Sequence, residues 1–435
     1  MRVGFIFPPG NVLGRSSEFR EYYKDSGGDR SSSQFWAGVG TSLLVPAALT
    51  PSSFEVEFID DGLTPVSFDR PYDLVAITSM TQQATRAYQI ADEFRRRGTP
   101  VVLGGIHASV LPEEARRHVD SVVIGEAEYL WPELLEDFRR GSLKPFYRSS
   151  QPVDLKDSPL PRFDLLKDKG YPVHWVQTSR GCPHDCEFCA ASKVFGSKLR
   201  HKSTEQVVRE IRFLTDELKV FRVHFADDNL FVDKKHYLPL LEGIASCRIH
   251  WRAVTDVSVA EDESLLKKLA DSGCVALLLG LESVDDRGLA NLDRGNWKLR
   301  QRPKYSEAIE RIQSYGIEVQ GAFIVGLDSD DPPVFDRLIE FITRSHLFSA
   351  TIAILTPLPG TRLRERLEKE GRLLDTPWEN YTIFDVNYVP KNMTTRELTA
   401  GQLRVYRFLT SAEYGLDRMS YFRQIQRSLM EAPRT

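Results

Sequence analysis

Short apolar runs alternate with longer stretches in which apolar residues recur every three or four positions. In the first third of the chain, the runs at 2–7, 54–59, 74–79, 101–104 and 122–124 are β-rich. The stretches at 43–49, 82–97, 112–118 and 131–139 carry the helical period. Five strands, each followed by a crossover, predict an α/β domain built on a doubly wound parallel sheet. The polar, Gly/Ser-rich stretch 10–33 reads as a long loop over one end of that sheet.

The period fades across 149–166, where Pro152, Pro159 and Pro161 mark a connector. It then resumes with strand candidates at 174–178, 222–225, 251–254, 276–280, 319–325 and 351–355. Helical patterns at 204–216, 263–272, 305–315 and 334–345 lie between them. Six βα units predict a partial (β/α)6 barrel with a lateral opening, and its chemistry belongs at the carboxyl ends of the strands. Beyond residue 376 strand alternation ends, and 394–414 is the strongest helical segment, expected as a cap on the barrel. The expected division is a sheet domain at 1–145, a linker at 146–170, a barrel at 171–375 and a helical region at 376–435.

Composition narrows the picture. A length of 435 residues suits two to three domains. A net charge of −4 gives no electrostatic case for a nucleic-acid partner. The N-terminus does not read as a signal peptide, and no apolar stretch reaches the roughly 18 residues that span a bilayer. The expected location is the cytoplasm, without a transmembrane segment. Five cysteines are too few and too odd in number for a disulfide framework.

Three of those cysteines, Cys182, Cys186 and Cys189, stand in a C-x3-C-x2-C loop directly after an apolar run. Three thiolates in one tight loop suit an iron–sulfur cluster, and a four-iron cluster held at three corners keeps one iron open. The alternative, structural zinc, wants four closed ligands. His184 lies inside the loop at poor spacing to be the fourth. Cys247 and Cys274 read as small buried hydrophobes. At the carboxyl ends of the first set of strands stand Pro8-Pro9, Ser79-Met80-Thr81, Gly104-Gly105-Ile106-His107 and Gly125-Glu126-Ala127-Glu128. These are either tight turns or places where backbone meets a ligand. No G-x-G-x-x-G follows the first strand, so a nicotinamide site is not expected. Arg95-Arg96-Arg97 reads as a solvated helix end, and Phe35-Trp36, Tyr171 and Trp175 as core packing or cleft lining.

The cysteine loop, with Phe188 before its last cysteine, resembles the radical S-adenosylmethionine (SAM) enzymes. Further pieces match in order: Asp227-Asp228-Asn229, Gly280-Leu281-Glu282-Ser283, the run from Gly321 to Gly326, and Leu355-Thr356-Pro357-Leu358-Pro359-Gly360. The first domain, with its Gly104-Gly105 and Gly125-Glu126 turns, resembles the cobalamin-binding domain of the subgroup that contains hopanoid C-2 methylases and bacteriochlorophyll side-chain methylases. No D-x-H-x-x-G loop occurs, so a lower cobalt ligand from that motif is not expected.

The resemblance implies a [4Fe-4S] cluster on Cys182, Cys186 and Cys189, with SAM and cobalamin as further cofactors. It implies SAM contacts from Phe188, Asp227, Asp228, Glu282, Ser283, Gly321, Gly326, Leu355 and Pro357. Asp227 or Asp228 would pair with the SAM ammonium. Cobalamin contacts would come from Pro8, Pro9, Ser79, Met80, Thr81, Gly104, Gly105, His107, Gly125 and Glu126. The implied reaction is reductive cleavage of SAM to a 5′-deoxyadenosyl radical and methyl transfer from methylcobalamin to an unactivated carbon. The implied partners are a small-molecule or lipid-like substrate and an external one-electron reductant such as flavodoxin or ferredoxin. Non-methylating radical chemistry on the same cofactors, cyclisation or ring rearrangement, shares these residues. A non-catalytic cobalamin or cluster sensor is the remaining alternative.

Overall fold

The computed structural model describes residues 1–10, 16–25 and 39–431. Phe35, Trp36 and much of the loop expected at 10–33 lie outside the described residues. Within that expected loop, Ser17–Asp25 forms a helix, because Phe19 and Tyr22 present one apolar face that finds partners far along the chain.

The first sheet contains β1 (Arg2–Phe7), β2 (Glu55–Asp60), β3 (Leu74–Thr78), β4 (Val101–Gly104), β5 (Ser121–Ile124) and β6 (Phe146–Arg148). All are parallel, in the order β2-β1-β3-β4-β5-β6. Strand β6 lies past the boundary expected at 145; three residues are too few to show a period. Both faces are covered, as in any doubly wound sheet. Val3, Phe5, Leu74 and Ala76 join the large core shared with the second domain. Ile6, Val75 and Ile77 pack with Phe94 and Ile90 on the other side. The order reverses between β1 and β3. Pro8, Pro9, Ser79 and Met80 therefore flank the switch point, where such folds receive ligands.

The second sheet begins with β7 (His174–Val176). A two-residue antiparallel pair follows, β8 (Ser179–Arg180) with β9 (Arg200–His201), and closes the stem of the cysteine loop. Then come β10 (Arg222–Phe225), β11 (His250–Thr255), β12 (Cys274–Glu282), β13 (Glu318–Val325) and β14 (Ser349–Ile354). These six long-range partners run parallel in chain order from β7 to β14. Among the described residues no strand joins β14 to β7, so the barrel is open along one side. Local signals set the covering helices. Ser203 and Gln206 form a capping box that starts Thr204–Asp216 at the expected residue.

The tail expected as one helix over 394–414 is two, Thr395–Leu409 and Ala412–Glu431, broken at Thr410 and Ser411. The first docks on β14: Gln402 Nε2 donates to the Ile352 carbonyl at 2.7 Å, and the Ile352 amide donates to the Tyr406 hydroxyl at 3.0 Å. Gly401 presses directly on the Phe335 ring, which leaves no room for a Cβ. Gly401→Ala is expected to destabilise the fold by about 1–3 kcal/mol through overpacking, read as a lower urea midpoint.

The two domains meet at several places. The Tyr171 hydroxyl donates to Asp60 Oδ2 at 2.6 Å, and the Trp378 indole N–H donates to Glu114 at 2.8 Å. Tyr22 donates to the Tyr406 carbonyl at 3.0 Å, with Phe19 edge-on to Tyr406.

Candidate active site

The cysteine loop leaves β8 at the carboxyl face of the barrel. Gly181, at φ +97°, makes the exit turn, and a Cβ there would strike the Lys198 carbonyl. The loop is pinned on both sides. Glu187 N–H donates to the Leu292 carbonyl at 2.9 Å, and Arg294 N–H donates to the His184 carbonyl at 3.1 Å. Arg362 grips the Asp185 carboxylate and carbonyl, each at 2.6 Å, while Arg366 holds Glu187 at 3.0 Å.

Cys182, Cys186 and Cys189 are half-buried free thiols. Burial pushes Cys182 up to about 11 and raises Cys186 and Cys189 as well. Thiols in such a place ionise only for a cation, and soft sulfur donors suit an iron–sulfur cluster. His184 is engaged with the barrel wall. Its ring lies 4.4 Å from that of Trp297, and its Nε2 is 3.2 Å from Asp256. Among the described residues no three His, Cys, Asp or Glu side chains converge as ligands of a single ion do. A four-iron cluster instead spreads its thiolates over separate corners. The donor set fits the cluster.

Asp227-Asp228-Asn229 follows β10, and each residue does a different job. Asp227 is buried and accepts from the Thr178 amide at 3.2 Å, the Thr178 hydroxyl at 2.8 Å and the Ser179 hydroxyl at 2.5 Å. It fixes the strand that leads into the cysteines and has no capacity left for a ligand. Asn229 bridges Thr255, His184 and Asp256. Burial opposes the charge on Asp256, but hydrogen bonds from His184, Ser258 and Asn229 hold it down to about 2. Asp228 accepts from the Gly181 backbone and lies beside Cys182 and Cys189. Burial and the Asp227 charge push it up to about 6, so it fits an incoming cation such as the SAM ammonium.

Glu282 sits at φ +61° where the β12–β13 register slips. Its partner, invisible in the sequence pattern, is Lys298. The ammonium donates to Glu282 Oε1 at 2.8 Å and to the Gly280 carbonyl at 2.9 Å. Burial pulls that ammonium down, but Glu282 and Cys186 hold it above its ordinary value. The remaining expected SAM residues carry protein contacts. Ser283 Oγ accepts the Asp285 amide, and Phe188 packs against the barrel core. The space beside Gly321 is filled by Phe323 and Leu347, and that beside Gly326 by Tyr388 and Leu398. Leu355 N–H donates to the Val325 carbonyl, and the Pro357 carbonyl accepts from Arg364. Protein packing alone already requires glycine at both positions.

Asp330, below Gly326, accepts two amides through Oδ2 while Oδ1 has no partner. Burial lifts its carboxyl from 3.8 to about 7 against the pull of those amides. Its folded-state value is above its unfolded one, so its contribution to stability is complete below about pH 4 and is lost as pH rises to about 7. Asp330→Asn keeps the acceptor and removes the charge. Relative to the parent, its stability is expected to rise by a few kcal/mol between about pH 4 and about pH 8, read as a widening difference in melting temperature.

At the first sheet, Ser79 Oγ is buried at the switch point with no hydrogen-bond partner. Met80 beside it is 46% exposed, and a Cβ on Gly125 would meet nothing. An orphaned hydroxyl and an exposed apolar side chain at the switch point, with an open glycine at the end of β5 two strands away, fit a large cofactor. Pro8 and Pro9 flank the same edge; the Pro8 carbonyl accepts from Gln83 at 2.7 Å. The other five expected contacts are occupied. His107 is fully buried between Thr81, Tyr88, Glu114 and Trp378, which takes both His107 and Thr81 away from an open ligand face. Gly105, at φ +95°, lies against the Ser79 backbone, and Gly104 lies along Val123. Glu126 is paired with Arg180 and Arg200.

An open parallel barrel with a three-cysteine loop at its mouth, joined to a doubly wound sheet, defines a radical SAM enzyme carrying a B12-binding domain. Residues 176–342 match the Radical SAM superfamily, and residues 43–135 match the B12 binding domain. The chain is 34% identical over 358 residues to a bacteriochlorophyllide d C-8(2)-methyltransferase of Chlorobaculum tepidum, covering 78% of each. It is 30% identical over 376 residues to the C-12(1)-methyltransferase of the same organism, covering 84% of this chain and 81% of the relative. The structure of the radical SAM methyltransferase TsrM from Kitasatospora setae, with cobalamin and a [4Fe-4S] cluster bound, superimposes with a TM-score of 0.70. That match covers 95% of this chain and 89% of TsrM at 15% identity. The chain belongs to the B12-dependent radical SAM methyltransferase family. Its cofactors are accordingly a [4Fe-4S] cluster, SAM and cobalamin. Among the described residues no helix is long and apolar enough to cross a membrane.

Proposed function

We propose that this chain methylates an unactivated carbon on a small tetrapyrrole-type substrate. The chemistry comes from the cofactors: the reduced cluster cleaves SAM, and cobalamin carries the methyl group. The observation that carries the reading is that the stem of the cysteine loop and the carboxyl edge of the first sheet are in direct contact, through Arg180 and Glu126. Cys182, Cys186 and Cys189 would hold the iron. Asp228 would neutralise the SAM ammonium by a charge-assisted contact. Lys298 would orient Glu282 toward the polar end of SAM. Ser79, Met80 and Gly125, with Pro8 and Pro9, would receive the corrin. The open side of the barrel would admit a flat ring system edge-first. The bacteriochlorophyllide names of the two relatives support the substrate class. Electrons would come from an acidic one-electron carrier, flavodoxin or ferredoxin, in the cytoplasm, where thiols stay reduced. No nucleic acid takes part.

Anaerobic reconstitution with iron, sulfide, hydroxocobalamin and SAM bearing a deuterated methyl group, reduced with titanium(III) citrate, tests this. With bacteriochlorophyllide d as probe, the pigment is expected to gain the labelled methyl. Consumption of SAM with no label in the pigment overturns the substrate class. A parallel reaction with a hopanoid detects a lipid substrate instead.

A further inference from the structure

Four charged side chains meet where the first domain touches the second. Arg180 Nη1 is 2.6 Å from Glu126 Oε1, and its Nη2 is 2.6 Å from Glu128 Oε1. Arg200 Nη1 is 2.7 Å from Glu126 Oε2 and donates to the Val153 carbonyl at 2.7 Å. None of the four side chains is more than 12% exposed. Outer partners hold the group in place. Gln177 accepts from Arg180 Nε at 2.8 Å, Ser158 donates to Glu128 at 3.3 Å, and the Phe195 carbonyl accepts from Arg200 at 3.2 Å.

The positions matter more than the energy. Glu126 and Glu128 lie in the loop that leaves the carboxyl end of β5. Arg180 ends β8, two residues before Cys182. Arg200 opens β9, the strand that returns after the loop. The cluster thus ties the ligand-receiving edge of the first sheet to both stems of the cysteine hairpin. Burying ions costs several kcal/mol each, and a well-packed apolar contact would join two domains as firmly. Guanidinium–carboxylate contacts add direction: planar forks fix both distance and angle. Arg180 cannot slide without leaving the buried Glu128 carboxylate with no cation, and Glu126 is clamped from both sides.

We propose that this cluster is a positioning device which sets the corrin-bearing edge at one distance and angle from the iron-bearing loop. Arg180, Arg200, Glu126 and Glu128 are positioning residues for methyl delivery. The proposal rests on the assignment above of cobalamin to the first sheet and SAM to the cysteine loop.

The test uses the full chain, anaerobically reconstituted with iron, sulfide, hydroxocobalamin and SAM and reduced with titanium(III) citrate. Glu128→Gln and the milder Arg180→Lys, which keeps its charge but loses one arm of the fork, are compared with the parent. Two readouts separate positioning from stability. Pulsed EPR gives the dipolar coupling between Co(II) and the reduced cluster. The products of SAM give a ratio: 5′-deoxyadenosine reports the SAM–cluster contact, and S-adenosylhomocysteine reports methyl transfer to reduced corrin. Iron, corrin and 5′-deoxyadenosine are expected within about twofold of the parent, while the ratio of S-adenosylhomocysteine to 5′-deoxyadenosine falls about tenfold or more. The dipolar coupling is expected to weaken and broaden. An unchanged ratio and coupling overturns the proposal, and so does a proportional loss of both products together with the cofactors. If Glu128→Gln does not fold, Arg180→Lys decides alone. A parent that forms no S-adenosylhomocysteine overturns the functional reading instead, and the EPR comparison still decides the role of the ion cluster.

Discussion

Cys186→Ala is expected to abolish 5′-deoxyadenosine formation and most of the bound iron and sulfide, with little effect on the fold. The asymmetry follows from how the loop is held. The residues on either side of Cys186 carry the anchors: Asp185 is gripped by Arg362, and Glu187 by Arg366 and by the Leu292 carbonyl. None of these uses the thiol. Removing the sulfur deletes a corner ligand and leaves the loop in place. A cluster with two protein ligands is labile and cannot keep one iron reserved for SAM. Apoprotein stability should change by less than about 1 kcal/mol, as for a truncation that leaves every anchor intact. Iron and sulfide content, the visible cluster absorbance and chromatography of the SAM products check the first part, and urea unfolding checks the second. Retention of 5′-deoxyadenosine at the parent level would remove Cys186 from the ligand set.

Lys298→Met should do the opposite and strike the fold first. Lys298 reaches Glu282 from the helix Trp297–Gln301, whose start is fixed by Asp293 accepting the Trp297 and Lys298 amides at 2.8 and 2.9 Å. Both partners are nearly inaccessible, at 7% and 11% exposure. Methionine fills the volume but strands the carboxylate at a backbone position already held at positive φ. Breaking one side of a buried pair costs about 3–5 kcal/mol. Glu282→Gln added to Lys298→Met removes the stranded charge and should recover much of the loss, a coupling that a double-mutant cycle measures. Equal urea midpoints for parent and single variant would show that the pair contributes nothing.

These two sites differ in how far they were legible in the chain. The cysteine spacing is local, and so are the caps and apolar runs; β1 and Thr204–Asp216 fall at the expected residues. Each of those elements carries its own instruction. Lys298 does not, because what selects it is a carboxylate 16 positions away across a turn without period. Arg180 and Arg200 were hidden for the same reason, since their acceptors lie 54 and 74 residues upstream. Glycine carries less instruction. Gly321 and Gly326 suit a backbone contact with SAM, but packing against Phe323 and Tyr388 demands glycine there as well. His107, buried against Trp378, likewise has the composition of a ligand and the surroundings of a strut. Asp227 and Asp228 are adjacent and chemically alike. Only the hydroxyls of Thr178 and Ser179 tell them apart.

The aromatic contact of Phe19 and Tyr22 with Phe384 and Tyr406 sets an order of events during synthesis. A ribosome delivers residues 19 and 22 first and must add more than 360 further residues before their partners exist. The helix that emerges earliest therefore waits, its apolar face without these partners, until the last helices arrive.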